Sequence, residues 1–288
     1  MVHQKPPSVF APHVRKLRLT RAARNFSEHD FLHRRVAEDA LDRLETVQKR
    51  FENALFYGPA APLLAELLTD AADVGKVTIA GESGAFLNAR GAADPIEASA
   101  TALPFEDDSF DLVVSLMSLH AEDDLPGALM EARRVLEPDG LFIGSFPAEQ
   151  TLMGLRQALR NAEAALTGGV APRVAPFVQI KDAGALLQRA GFALPVVDVQ
   201  PVKVRYRQPL TLLKDLRGMG ETLALKKPGP PLRRDVLATA MAELEGQETL
   251  FEFGVLTGWT PHPSQPKPLK PGSAKASLAD AVQRMQDE

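Results

Sequence analysis

Residues 101–146, TALPFEDDSFDLVVSLMSLHAEDDLPGALMEARRVLEPDGLFIGSF, decide the fold. Phe110 to Leu116 is an apolar, β-branched run behind the acidic turn Glu106-Asp107-Asp108-Ser109. A bounded, nearly continuous apolar run suits a strand covered on both faces of a parallel sheet. Leu125, Ala128, Leu129, Ala132, Val135 and Leu136 recur at helical spacing, so a helix is expected over Leu125 to Leu136. Glu137-Pro138-Asp139-Gly140 should stop it, because Pro and Gly both disfavour its continuation. Leu141 to Phe146 reads as the next strand. The unit is β-α-β with a right-handed crossover. Ligands of such sheets bind beyond the C-terminal strand ends, which directs attention to Leu116 to His120 and Phe146 to Glu149.

Outward from this unit, Ala54 to Tyr57, Val77 to Ala80 and Ile96 to Ala98 read as further strands, and Leu63 to Leu68 as a helix. Strands alternating with helices predict an α/β sheet. Beyond Phe146, helices are expected at Thr151 to Leu166, Lys181 to Ala190, Pro209 to Arg217 and Asp235 to Leu244. Leu194 to Tyr206 reads as extended, and Phe251 to Trp259 as the last strand. Residues 28–50 read as one amphipathic helix. Arg15, Lys16, Arg18, Arg21 and Arg24 precede it without an acid until Glu28; a solvated face or a basic arm is the expected use, a mitochondrial presequence the alternative. Residues 1 to 8 and the Pro/Lys-rich tail from 261 onward are expected to lack a packed structure. The division implied is a helical extension (1–50), a main domain (51–260) with a lid-like insertion (147–250), and the tail (261–288).

The chain has 288 residues, a formal net charge of -4 and no cysteine. Its length supports a large core. The charge argues against a protein coated in nucleic acid, and the missing cysteines exclude disulfides, thiolate metal sites and a Cys nucleophile. No apolar run is long enough to span a bilayer, and MVHQKPPSVF lacks the apolar core of a secretory signal. A cytoplasmic protein is expected, or a mitochondrial matrix protein in a eukaryote.

LPFEDDSFDLVVSLMSLH followed by DLPGALMEARRVLEPDGLF resembles the second half of a class I S-adenosylmethionine-dependent methyltransferase domain of the type 11 kind. FLHRRVAEDALDRL, TLMGLRQAL, GGVAPRVAPFVQIKDAGALLQRAGF, LLKDLRGMGE and GWTPHPSQPKPLKPGSA are similar to the mitochondrial complex I assembly factors of the arginine-hydroxylase type and their alphaproteobacterial relatives. This resemblance covers nearly the whole chain. It implies a seven-stranded, Rossmann-like sheet with helices on both faces and an antiparallel last strand. It also implies a nucleoside over strands one, two and four, and a complex I subunit as partner, hydroxylated on an arginine.

Several positions depart from the methyltransferase pattern D-x-G-x-G-x-G. Phe56 stands at the acid, Gly58 at the first glycine, and Ala60 and Pro62 at the others. A Cβ at a φ > 0 position would cost about 1 kcal/mol. Gly81 stands at the ribose-binding acid, with Glu82 one residue on as a substitute or an exposed turn acid. Ser99 replaces the acid that meets adenine. Ala102, Leu103 and Pro104 match the adenine pocket, and Tyr57 is placed to stack on a ligand or simply to pack. His120 is the candidate general base or substrate-orienting group; the bland alternative is a packed strand-end histidine. Asp107, Asp108 and Asp111 read as turn and cap residues rather than metal ligands, and no iron-type His/carboxylate spacing stands out. Gly218-Met219-Gly220-Glu221 reads as part of a lid or as a helix-ending loop. Three functions stay open: a methyltransferase, a protein-arginine hydroxylase, and a non-catalytic assembly module.

Overall fold

The computed structural model describes residues 8–266. Seven strands form one sheet in the order β3-β2-β1-β4-β5-β7-β6. They are β1 (Phe51–Tyr57), β2 (Val74–Gly81), β3 (Ile96–Glu97), β4 (Phe110–Leu116), β5 (Leu136–Pro147), β6 (Ala193–Arg205) and β7 (Glu248–Trp259). The first five run parallel, and β7 lies antiparallel between β5 and β6. The apolar runs that predict two-sided burial behave so. Ala54 and Phe56 of β1, with Leu112 and Val114 of β4, enter one core; Leu55, Tyr57 and Val113 enter the other.

The first core is covered by α2 (Phe31–Glu45), α3 (Ala61–Leu67), α4 (Gly84–Ala89), α6 (Met153–Thr167), α8 (Pro209–Gly218) and α9 (Arg234–Glu243). The second is covered by α5 (Leu125–Arg134) and α7 (Ile180–Arg189). Gly168 ends α6 at φ +72°, the left-handed stop expected of glycine. Within 147–250, β6 is a sheet strand and α7 packs on it, whereas α6 and α9 pack together over the first core.

Three readings need correction. The helix expected over 28–50 is shorter, Phe31–Glu45, and follows a 3₁₀ turn at Phe26–Glu28. The α5 helix stops at Arg134; Leu136 already pairs with Phe110, and an irregular register absorbs Glu137 to Gly140 inside β5. The basic stretch is a separate helix, α1 (Pro12–Ala22), in which Arg15, Leu19 and Ala22 are buried. It is therefore no wholly solvated face, since Arg15 points inward. Residues 261–266 form neither helix nor strand, and the remainder of the expected tail and residues 1–7 lie outside the described residues. Among the described residues no helix is long and apolar enough to cross a membrane.

Candidate functional site

The parallel strands β1, β2 and β4 end side by side, and the segments after β2 and β4 contribute to one buried cluster. After β1 the chain turns at Gly58, φ +103°, whose N–H donates to the Ala80 carbonyl at 2.9 Å. The turn leads straight into α3. Ala60 has φ -91° and Pro62 lies in the first turn of the helix, where proline is accommodated. The strain expected from a Cβ at Ala60 is therefore absent, because the backbone there is not left-handed. Phe56, at the acid position, is wholly buried in the core.

After β2 comes Glu82, and Ser83 then caps α4 by accepting the Phe86 N–H at 3.2 Å. Glu82 is not an exposed turn acid. Its Oε1 accepts from Arg15 Nε at 3.1 Å, and its side chain is 14% exposed. Oε2 is buried and has no hydrogen-bond partner among the described residues. After β4, Met117 adopts φ +60° and turns its carbonyl to accept Arg15 Nη2 at 2.7 Å. His120 lies not at the strand end but on the following 3₁₀ turn, Leu119–Ala121, because β4 stops at Leu116.

Glu221 joins these groups from the loop after α8. It accepts from Arg15 Nη1 at 3.0 Å and lies 2.9 Å from His120 Nε2. His33 of α2, fully buried against Phe26, stands 3.6 Å from Glu221 Oε1, long for a hydrogen bond. Burial by itself would raise the Glu221 carboxyl, but Arg15, then His120, hold it well below the usual range. Burial by itself would lower the Arg15 guanidinium, but Glu221 and then Glu82 raise it further above its ordinary value. One guanidinium thus sits between two carboxylates and a carbonyl, with two imidazoles beside them.

The sequence names Arg15 only as one of a basic stretch and Glu221 only as the end of the Gly218-Met219-Gly220-Glu221 lid or helix-ending loop, and it does not point to His33. A signal existed for Arg15. Ala11, Arg15, Leu19 and Ala22 are the buried stripe of α1 at helical spacing, so the arginine falls among apolar positions. Nothing in sequence links Glu221 to it across more than two hundred residues.

The remaining candidates are placed elsewhere. Tyr57 does not stack on the cleft; its ring packs in the second core and its hydroxyl donates to the Ala98 carbonyl at 2.9 Å. Burial, with the Glu82 and Glu122 charges, holds that hydroxyl above its ordinary pKa. Ser99 Oγ lies 2.9 Å from Thr101 Oγ1, and Ala102 N donates to the Ser99 carbonyl, closing a tight turn. Leu103 is buried, and its N–H donates to Glu131 at 2.9 Å; Pro104 is exposed. Arg134 secures this loop through the Leu103 and Phe105 carbonyls. Asp111, within β4, accepts the Glu52 and Asn53 N–H groups at the start of β1, and Asp107 pairs with Arg134. Among the described residues no cluster of three or more His, Asp or Glu could hold a metal ion.

A cavity of about 540 Å³ adjoins the cluster, within the size of small-molecule sites. Leu152, Leu155, Phe177, Leu216, Met219 and Phe253 give it apolar walls, and Arg15, His120 and Glu221 reach its polar end.

Glu122, just past His120, is pushed up to about 7 by burial and then by the Glu82 charge, with Arg15 opposing. A raised carboxyl binds its proton more tightly folded than unfolded. Its contribution is full below the ordinary value of 4.5 and is lost as pH rises toward 7. Glu122→Gln should therefore flatten this limb, gaining about 2 kcal/mol on the wild type between pH 5 and 8. Urea denaturation at both pH values checks this; parallel curves for the two proteins would refute it.

Comparison with known proteins fixes the family. The chain is 37% identical over 266 residues to the zebrafish (Danio rerio) mitochondrial arginine-hydroxylase NDUFAF5, covering 88% of this chain and 83% of that one. The chain belongs to the NDUFAF5 family. The mouse (Mus musculus) NDUFAF5 is 36% identical over 264 residues, covering 87% of this chain and 76% of that one. Residues 57–144 of this NDUFAF5-family chain match the profile described as a methyltransferase domain. The fold is shared with the solved YcgJ protein of Bacillus subtilis, at a TM-score of 0.50 and 15% identity over 78% of this chain and 99% of that one. In this NDUFAF5-family chain the class I methyltransferase sheet is complete, with the antiparallel β7 in place.

S-adenosylmethionine is the ligand that the methyltransferase profile implies. Two features fit its nucleoside. Gly58 keeps the backbone bare at the end of β1, and Glu82 keeps a buried oxygen, Oε2, without a partner at the end of β2. Ser99, engaged with Thr101, offers no charge to an adenine amino group.

Proposed function

We propose that this chain is a complex I assembly-type factor that binds S-adenosylmethionine in its methyltransferase cleft and acts on an arginine of a partner protein. The observation that carries the cofactor part is Glu82, whose Oε2 is buried and unpartnered. A buried acceptor left alone is costly, and a ribose hydroxyl is a donor that suits it. Gly58 would let the nucleoside approach the backbone. When bound, S-adenosylmethionine supplies an activated methyl group. The arginine target follows from the name of the relatives, arginine-hydroxylase, and their mitochondrial label supports a matrix location in a eukaryote.

Phe56 at the acid position favours a second reading, an assembly module without turnover. One titration separates the two. Calorimetry with S-adenosylmethionine and S-adenosylhomocysteine should give micromolar binding, near -8 kcal/mol, weakened at least tenfold in Glu82→Gln. No heat at millimolar ligand would retire the cofactor and leave the module. Intact mass of a complex I subunit after incubation then reports one added oxygen, one added methyl, or neither.

A further inference from the structure

We infer that Glu82 and Glu221 form a clamp for the arginine side chain of a partner protein, and that Arg15 occupies this clamp until the partner arginine displaces it. The inference rests on the proposed arginine target. It names where that side chain would be held.

The clamp has the shape a guanidinium requires. Glu82 meets Nε, Glu221 meets Nη1, and the Met117 carbonyl meets Nη2. Three acceptors from three elements surround one planar fork. A lysine ammonium, a point charge, cannot span them. Exchange of one arginine for another conserves charge, so the two carboxylates need never stay buried without a cation.

The occupant is held by a weakly buried helix. Besides Arg15, its buried residues are Leu19 and Ala22, with Ala11 just before its first turn. Its other attachments are polar: Lys16 to Glu97, Thr20 to Ser83, Arg18 to the Leu223 carbonyl, and, just before the helix, a Phe10–Leu225 bridge with the Ala11 N–H donating to the Ala224 carbonyl. A segment with few buried apolar contacts opens locally at low cost. Arg15 and Glu221 both line the apolar cavity, as do Phe10, Ala11 and Pro12 at the start of α1. Withdrawal of α1 would widen that cavity and expose the clamp at its end, admitting an arginine flanked by apolar residues. Glu82 Oε1 would hold the guanidinium while Oε2 stays available to a nucleoside, which brings target and cofactor together as a two-substrate site requires.

The test uses the full chain and a capped Leu-Arg-Leu tripeptide, with its citrulline counterpart as control. In the wild type, the arginine peptide at saturation should speed amide hydrogen exchange across residues 12–22 at least tenfold, and the citrulline peptide should not. Arg15→Gln should bind the arginine peptide at least tenfold more tightly than the wild type, and the further change Glu221→Gln should abolish that binding. Unchanged exchange in the wild type at millimolar arginine peptide would overturn the proposal, and that measurement decides even if Arg15→Gln fails to fold. Equal affinity of wild type and Arg15→Gln would overturn it too. Peptide binding without any added mass on a protein target would leave the clamp standing and sink the proposed activity. An added oxygen with no response in α1 would do the reverse.

Discussion

Replacing Glu221 with alanine should destabilise the protein by about 3–5 kcal/mol, the cost of leaving a buried partner charge uncompensated. Glu221 is the hub of the cluster, accepting from Arg15 at 3.0 Å and standing 2.9 Å from His120. Without it, the Arg15 guanidinium keeps only Glu82 and the Met117 carbonyl. Glu82→Ala should cost less, because Glu82 makes one contact to the guanidinium. The pH dependence follows from the depressed Glu221 carboxyl. A carboxyl held below its unfolded value stabilises the fold above that value, near 4.5, and the stabilisation is lost as pH falls through the folded one. Glu221→Gln should therefore lose the steep acid limb while keeping the side-chain volume. Urea denaturation across the acid range measures both effects. A cost below about 1 kcal/mol, the scale of an exposed pair, would show that the cluster is solvated and remove the basis of the clamp.

The sheet was legible in the sequence because its signal is local. Phe110 to Leu116 and Leu141 to Phe146 are apolar runs that need burial on both sides, and turn residues bound them. Their parallel adjacency is what the β-α-β connection predicts, and the structure sets the register, pairing Leu112 with Leu141 and Val114 with Ile143. The family resemblance extended that reading to the antiparallel β7. Positions 82 and 120 were legible as strand-end neighbours, although the extra turn that carries His120 was not. The ends of β2 and β5 also ran past their apolar centres, since Gly81, Leu136 and Pro147 pair through the backbone whatever their side chains.

The cluster itself was hidden for a different reason. Arg15, His33 and Glu221 come from three segments whose meeting is a matter of tertiary packing, and each has an ordinary local explanation. Arg15 looks like one of five cations on a basic stretch. Glu221 looks like the polar residue after a helix stop, and its N–H does bond the Leu216 carbonyl at 2.9 Å. Charge pairing across long sequence separation leaves no period to count. The left-handed turn at Met117, which aims a carbonyl into the cluster, likewise has no glycine to announce it.

Gly58→Ala should be the most disruptive of the glycine substitutions near the cleft, costing about 3 kcal/mol or more. Two penalties combine. The residue sits at φ +103°, where a Cβ alone costs about 1–3 kcal/mol. That Cβ would also collide with the Leu116 carbonyl oxygen and lie 3.1 Å from Ser118 Cβ. Neither neighbour yields cheaply, because Leu116 is locked to Ser145 in the β4–β5 ladder. Relief would have to come from moving the end of β1, at the expense of the Gly58 bond to Ala80. Gly168 and Gly246 provide the control: both have positive φ, at +72° and +74°, but a Cβ would meet nothing within 4 Å among the described residues. Alanine there should cost only about 1 kcal/mol. Urea denaturation of the three variants tests the difference, and an equal cost at all three would mean that the strand ends are loose. The comparison bears on function as well. Alanine at position 60 and proline at position 62 are free of strain, whereas the packing of β1 against β4 demands glycine at 58 whether or not a nucleoside binds. The presence of Gly58 is therefore weak evidence for a cofactor, and the weight falls on the unpartnered oxygen of Glu82.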